Sequence, residues 1–163
     1  RLSRYNSKRV SMNFYGFDSF EGFGKLDKED THPFYTSFNF ETNLDKVEKR
    51  VKKVSKDLIC KLIPGFFEKT LSLKPSDYGI KKSKIIFIDC DTYSSADIAF
   101  EFCSKTIQEG TIIILDDYYS YRGNKNKGVK GAFDRFINNN KIEVINILAY
   151  GMGGAVYIVS KIN

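Results

Sequence analysis

The chain has 163 residues, 42% of them apolar, which suits a single domain spanning 1–163 with a real core. Its 26 Lys and Arg exceed 20 Asp and Glu, but the excess is spread over stretches such as Lys46-Val47-Glu48-Lys49-Arg50 and forms no long block, which argues against a nucleic-acid partner and for solubility or an anionic substrate. No apolar run reaches the ~18 residues of a membrane span, and the opening RLSRYNSKR has no apolar signal core, so neither a membrane partner nor an address is expected.

Strand-like and helix-like periodicities alternate after residue 12, the pattern of a parallel sheet covered by helices. Residues 12–17 read as the first strand, followed by an irregular polar stretch to about Asn43 that is long enough for a lid or substrate loop. Leu44, Val47, Val51, Val54 and Leu58 recur at helical spacing behind an Asn43 cap, and residues 58–63 read as a short strand stopped by Pro64-Gly65. Residues 85–89 read as the clearest strand, an unbroken apolar run over 85–88 ending in Asp89, as expected for a central strand buried on both faces. In the helix after it, Ser94 or Ser95 is the expected cap, Asp97 the first-turn acid, Ile98, Phe102 and Cys103 the apolar stripe, and Gly110 the terminal glycine. Strand 111–115, helix 128–137 with Val129, Ala132, Phe133 and Phe136 on one side, and strands 142–148 and 155–159 complete the pattern. Gly151-Met152-Gly153-Gly154 precedes a strand, not a helix, and so reads as a hairpin turn and not as a phosphate loop. Cys60, Cys90 and Cys103 lie singly in apolar runs without CxxC spacing, which predicts reduced packing thiols in a cytoplasmic protein. His32, the one histidine, reads as a solvated loop residue.

The chemistry concentrates where strands end. Asp89 and Asp116 stand 27 positions apart across a strand-helix-strand unit, which commonly sets its two strands side by side, roughly 4.8 Å apart. With Asp117 they make a three-carboxylate site of the kind Mg²⁺ accepts, at the sheet edge where α/β proteins bind ligands. Side-chain alternation would put Asp91 on the same side as Asp89. Asp18, just past the first strand, is placed to accept hydrogen bonds from ribose hydroxyls. Two rival readings remain: a DxD phosphatase, which the short 89–116 interval fits badly, and a non-catalytic binding domain. Residues 118–127 read either as a lid over the acids or as a solvated connection.

Four stretches, Tyr15-Gly16-Phe17-Asp18-Ser19-Phe20-Glu21-Gly22-Phe23, Leu62-Ile63-Pro64-Gly65-Phe66-Phe67, Ile88-Asp89-Cys90-Asp91-Thr92-Tyr93 and Ile113-Ile114-Leu115-Asp116-Asp117-Tyr118, resemble in order and spacing the macrocin O-methyltransferase (TylF-like) family. Gly128-Val129-Lys130-Gly131-Ala132-Phe133 resembles that family's next helix. The resemblance implies a Rossmann-like class I methyltransferase sheet that uses S-adenosylmethionine and Mg²⁺ to methylate a sugar-type hydroxyl of a small-molecule or glycan substrate (a glycan, nucleotide-sugar or glycosylated natural product), with the oligomeric state left open. It implies Asp18 and Ser19 at the cofactor ribose, Gly65 and Phe66 beside the adenine, Asp89, Asp116 and Asp117 at the metal, and Asp91 as general base. Cys90 stands in place of the family's usual glycine and Ser94 in place of glutamate; the lysine of catechol-type relatives is Thr92 here, which shifts the base assignment to Asp91. The glycine-rich turn that opens such folds has no counterpart, and residues 1–8 resemble the tail of the helix that follows it, so an N-terminal portion is expected to be missing from this chain.

Overall fold

The computed structural model describes residues 12–35, 40–55 and 58–163; the helix tail expected over residues 1–8 lies outside them. The chain divides into two compact units, one holding Arg1–Lys25 and Tyr35–Thr70, the other Leu26–Phe34 and Leu71–Asn163.

In the first unit β1 (Asn13–Asp18) runs parallel to β2 (Ile59–Pro64), with Asp18 opposite Pro64 at their common C-terminal edge. The crossover between them contains α1 (Leu44–Ser55), and the Asn43 carboxamide oxygen accepts from the Lys46 backbone N–H at 3.0 Å, the cap that the sequence predicts. The apolar stripe of α1 is only partly covered: none of its residues is buried, and Val54 is exposed. The single-turn helix α2 (Phe67–Thr70) follows β2.

The second unit carries β3 (Ile85–Ile88), β4 (Ile112–Leu115), β5 (Ile142–Tyr150) and β6 (Gly154–Ile162) in the order β3-β4-β6-β5. β3 and β4 are parallel, whereas β6 runs antiparallel to both β4 and β5, so the sheet is mixed where alternation alone predicts a parallel one. The β5–β6 pairing confirms the hairpin. Two helices, α3 (Tyr93–Ser104) and α4 (Gly128–Asn139), pack on each other through Phe100, whose ring stacks on Phe136 at 5.0 Å and tilts against Phe133 at 5.6 Å. Val129, Ala132, Phe133 and Phe136 are all buried, as their spacing requires.

Four expectations are corrected. Among the described residues β3 lies at the edge of the four-stranded sheet and alternates: Ile86 and Ile88 are buried, whereas Ile85 and Phe87 are 55% and 56% exposed, so one face alone is covered by them. The α3 cap is Thr92, whose hydroxyl accepts from Ser95 N–H at 3.3 Å, and the helix buries Ala96, Ala99, Phe100 and Phe102, with Ile98 and Cys103 at the stripe's margin. Asp97 pairs with Arg135 on α4 at 2.7 Å instead of serving the first turn, and Gly110, φ +82°, turns the chain into β4 after α3 has already ended at Ser104.

Candidate active site

The parallel register of β3 and β4 aligns Ile88 with Leu115, and Asp116 N–H donates to the Ile88 carbonyl at 3.0 Å. Asp89 and Asp116 therefore leave the sheet at one edge. Asp89, Asp116 and Asp117 each offer a carboxylate oxygen, and these oxygens all lie within 4.8 Å of one another. Like charges so close repel and favour a cation between them, and three hard oxygen donors fit the chemistry of Mg²⁺, which keeps further positions for water or substrate. Two neutral donors orient the set: Tyr150 gives its hydroxyl proton to Asp116 Oδ1 at 2.7 Å, and Ser120 gives its own to Asp117 Oδ1 at 2.7 Å. Loss of solvent above all, then the hydrogen bond to Asp116 and the negative charges of Asp116, Asp89 and Asp117, push the Tyr150 phenol well above its ordinary range, so it remains a donor.

Strand alternation does not extend to Asp91. β3 ends at Ile88, and Asp91 has φ +60°, a left-handed backbone that an L-residue adopts only when its surroundings enforce it. Thr92 N–H closes over it to the Cys90 carbonyl at 2.6 Å. The turn, and not strand alternation, sets where Asp91 lies relative to Asp89. Between the two, burial first and the charges of Asp91, Asp89, Asp117 and Asp30 next push the Cys90 thiol well up, which favours its protonated form.

Sequence reasoning missed Asp30. It is 1% exposed, and its carboxylate accepts from Tyr93 N–H at 2.8 Å, Ser94 N–H at 3.4 Å and the Ser94 hydroxyl at 2.5 Å, all at the start of α3. Its carbonyl accepts from the Tyr121 hydroxyl at 2.9 Å. Burial, with the charges of Asp30, Asp91 and Asp117 behind it, pushes the Tyr121 phenol up to about 12. His32 is tied down too. Phe34 N–H donates to Nδ1, which leaves Nε2–H to donate to the Ser120 carbonyl, both at 3.3 Å, and the imidazole packs on Tyr121 at 5.0 Å between centroids. Within 118–127 the residues divide: Tyr118 is buried against Tyr157 and Phe133, whereas Tyr119 is exposed. Nothing in local periodicity signals Asp30, because the backbone it binds lies 63 residues later.

The other predicted residues gather in the first unit. Asp18 Oδ1 accepts from Phe20 N–H at 2.6 Å, Ser19 Oγ accepts from Glu21 N–H at 3.1 Å and donates to the Gly22 carbonyl at 2.8 Å, and Gly65 N–H donates to the Asp18 carbonyl at 2.9 Å. Gly65 has φ +133°, which favours glycine, and Phe66 is partly exposed beside it. Asp18, Ser19, Gly65 and Phe66 thus share one strand edge, as ligand-binding residues of such sheets do.

A parallel βαβ unit completed by an antiparallel hairpin, with acids at the strand ends, makes this a Rossmann-like α/β protein. The chain belongs to the Macrocin-O-methyltransferase (TylF) family, which it matches over residues 4–150. No curated protein matches the sequence significantly. Among solved structures it is similar to the O-methyltransferase NovP (TM-score 0.74, 18% identity, 96% of this chain and 64% of that one) and to CalS11, a calicheamicin methyltransferase (TM-score 0.73, 15% identity, 90% and 60%). It is also similar to an O-methyltransferase from Bacillus cereus in complex with SAH (TM-score 0.52, 18% identity, 72% and 57%). The chain therefore spans about 60% of the length of these structures, and at such identities the likeness is one of fold.

Proposed function

We propose that the whole protein is an S-adenosylmethionine- and Mg²⁺-dependent O-methyltransferase acting on a sugar-type hydroxyl. The observation that carries the reading is the convergence of Asp89, Asp116 and Asp117 at one sheet edge in a chain of the TylF family. The similar CalS11 is described in its apo form as a TDP-rhamnose 3'-O-methyltransferase, and the Bacillus cereus enzyme holds SAH, which supports a sugar acceptor and the sulfonium donor. Membership of this family leaves the phosphatase alternative without support.

In this reading Asp18 and Ser19 hold the cofactor ribose, and Gly65 and Phe66 border its adenine. Asp89, Asp116 and Asp117 hold Mg²⁺, which when bound polarises and orients the acceptor hydroxyl. Tyr150 and Ser120 each occupy one carboxylate oxygen and so fix the rotation of Asp116 and Asp117. Asp91 takes the acceptor hydroxyl proton as the oxygen attacks the methyl group; an alcohol is a poor nucleophile and needs that help.

Calorimetric titration of the whole protein with S-adenosylmethionine, with and without Mg²⁺, tests the proposal and separates it from a non-catalytic domain. Binding is expected, with turnover of a sugar or nucleotide-sugar acceptor only when Mg²⁺ is present. No binding under either condition sinks it. Asp91→Asn should abolish turnover and spare metal binding, and Asp116→Asn should weaken the metal; loss of metal affinity in both would refute this division of roles.

A further inference from the structure

We infer that Asp30 is a positioning residue for the acid cluster: its buried carboxylate holds the start of α3, directly behind the turn that carries Asp89 and Asp91, while its backbone carbonyl accepts from Tyr121 in the loop that carries Asp117. The inference rests on the Mg²⁺ reading above, and Asp30 itself is not placed at the metal.

A carboxylate removed from solvent is costly unless its oxygens are well partnered. Asp30 receives two backbone N–H groups and one hydroxyl at the N-terminal end of the twelve-residue α3, where the helix dipole also favours negative charge. A cap alone does not account for it, since Thr92 already caps α3 through Ser95 N–H. What Asp30 adds is a grip on Tyr93 and Ser94, directly behind the left-handed Asp91. A strained residue keeps its conformation only where neighbouring bonds over-determine it, and these bonds do so from one side while Thr92 N–H to the Cys90 carbonyl does so from the other.

The same segment reaches the second acid-bearing loop. Tyr121 donates to the Asp30 carbonyl, His32 meets the Ser120 carbonyl, and Ser120 donates to Asp117. One short stretch, residues 28–32, therefore bridges the loops after β3 and β4. Groups that orient metal-binding carboxylates typically matter roughly 10- to 100-fold in affinity or activity when removed.

The test uses the whole protein. For Asp30→Ala, kcat should fall roughly 10- to 100-fold and Mg²⁺ affinity, titrated with the metal alone, by several-fold, while the Kd for S-adenosylmethionine and the acceptor KM stay within about two-fold. Asp30→Asn, which keeps an oxygen for the two N–H groups, should recover most of the loss. A folded Asp30→Ala protein with wild-type kcat and Mg²⁺ affinity overturns the inference, and so does equal loss of metal and S-adenosylmethionine binding, which would mean general unfolding. If Asp30→Ala does not fold, the Asp30→Asn, Ser94→Ala double variant decides on the same two readouts. Should the wild-type protein itself take no Mg²⁺, the metal reading fails separately, and amide exchange over residues 89–95 decides here: Asp30→Ala must accelerate it at least about tenfold, and unchanged exchange overturns the inference.

Discussion

Tyr150 is joined to Asp116 by a 2.7 Å hydrogen bond and is held in its protonated form by its surroundings. A phenylalanine there keeps the ring and deletes only the donor. Tyr150→Phe is expected to change folding stability by less than about 1 kcal/mol and to weaken Mg²⁺ binding to the whole protein by about tenfold or less, the scale of one hydrogen bond. Calorimetry with Mg²⁺ checks it, and an unchanged affinity would show that the hydroxyl does not orient Asp116. The acids themselves were legible in the sequence because strand ends and carboxylates are local signals. Tyr150 was not: it reads as the shoulder of a hairpin, and its partner lies 34 residues earlier.

At the scale of the element, the β5–β6 hairpin keeps that tyrosine in place. A Cβ on Gly154 would come within 2.4 to 2.7 Å of the Tyr150 ring, too close unless the ring or the strand moves, so packing favours glycine there. Gly154→Ala should destabilise the protein by about 1–3 kcal/mol, measured by urea unfolding, as the ring or the strand shifts to make room. The hairpin was predictable from its glycines and α4 from its four-residue apolar spacing. The start of α3 was not fully so, because three hydroxyl residues, Thr92, Ser94 and Ser95, compete for one cap. The contest is settled by Asp30, which engages the Ser94 hydroxyl and leaves Thr92 to the helix.

Across the molecule, the second unit is held by an aromatic centre in which Phe133 meets Phe100, Tyr118 and Tyr157, with Phe100 stacked on Phe136. Phe133 is 1% exposed, and Phe133→Ala should cost about 3–5 kcal/mol, readable as a drop in the midpoint of thermal or urea unfolding. Burying that centre is what the apolar periodicities encode, which is why the order of elements could be read from them. The β3–β4 pairing and the β5–β6 hairpin could be read too, but not the antiparallel seat of β6 beside β4 or the covering of β3, since Ile85-Ile86-Phe87-Ile88 is apolar throughout and composition does not tell a strand covered on both faces from one covered on a single face.

Asp30 also bears on how such a protein can be recombined. Leu26–Phe34 belongs to the second unit although the chain on either side of it belongs to the first, so that unit is sewn from two separate stretches of sequence. A chimera spliced at residue 70 would inherit every acid of the candidate metal site from one parent and the residue that steadies their turn from the other. An exchange of the acid-bearing half between family members has to carry residues 26–34 along with 71–163, or match position 30 to the hydroxyl residue at position 94.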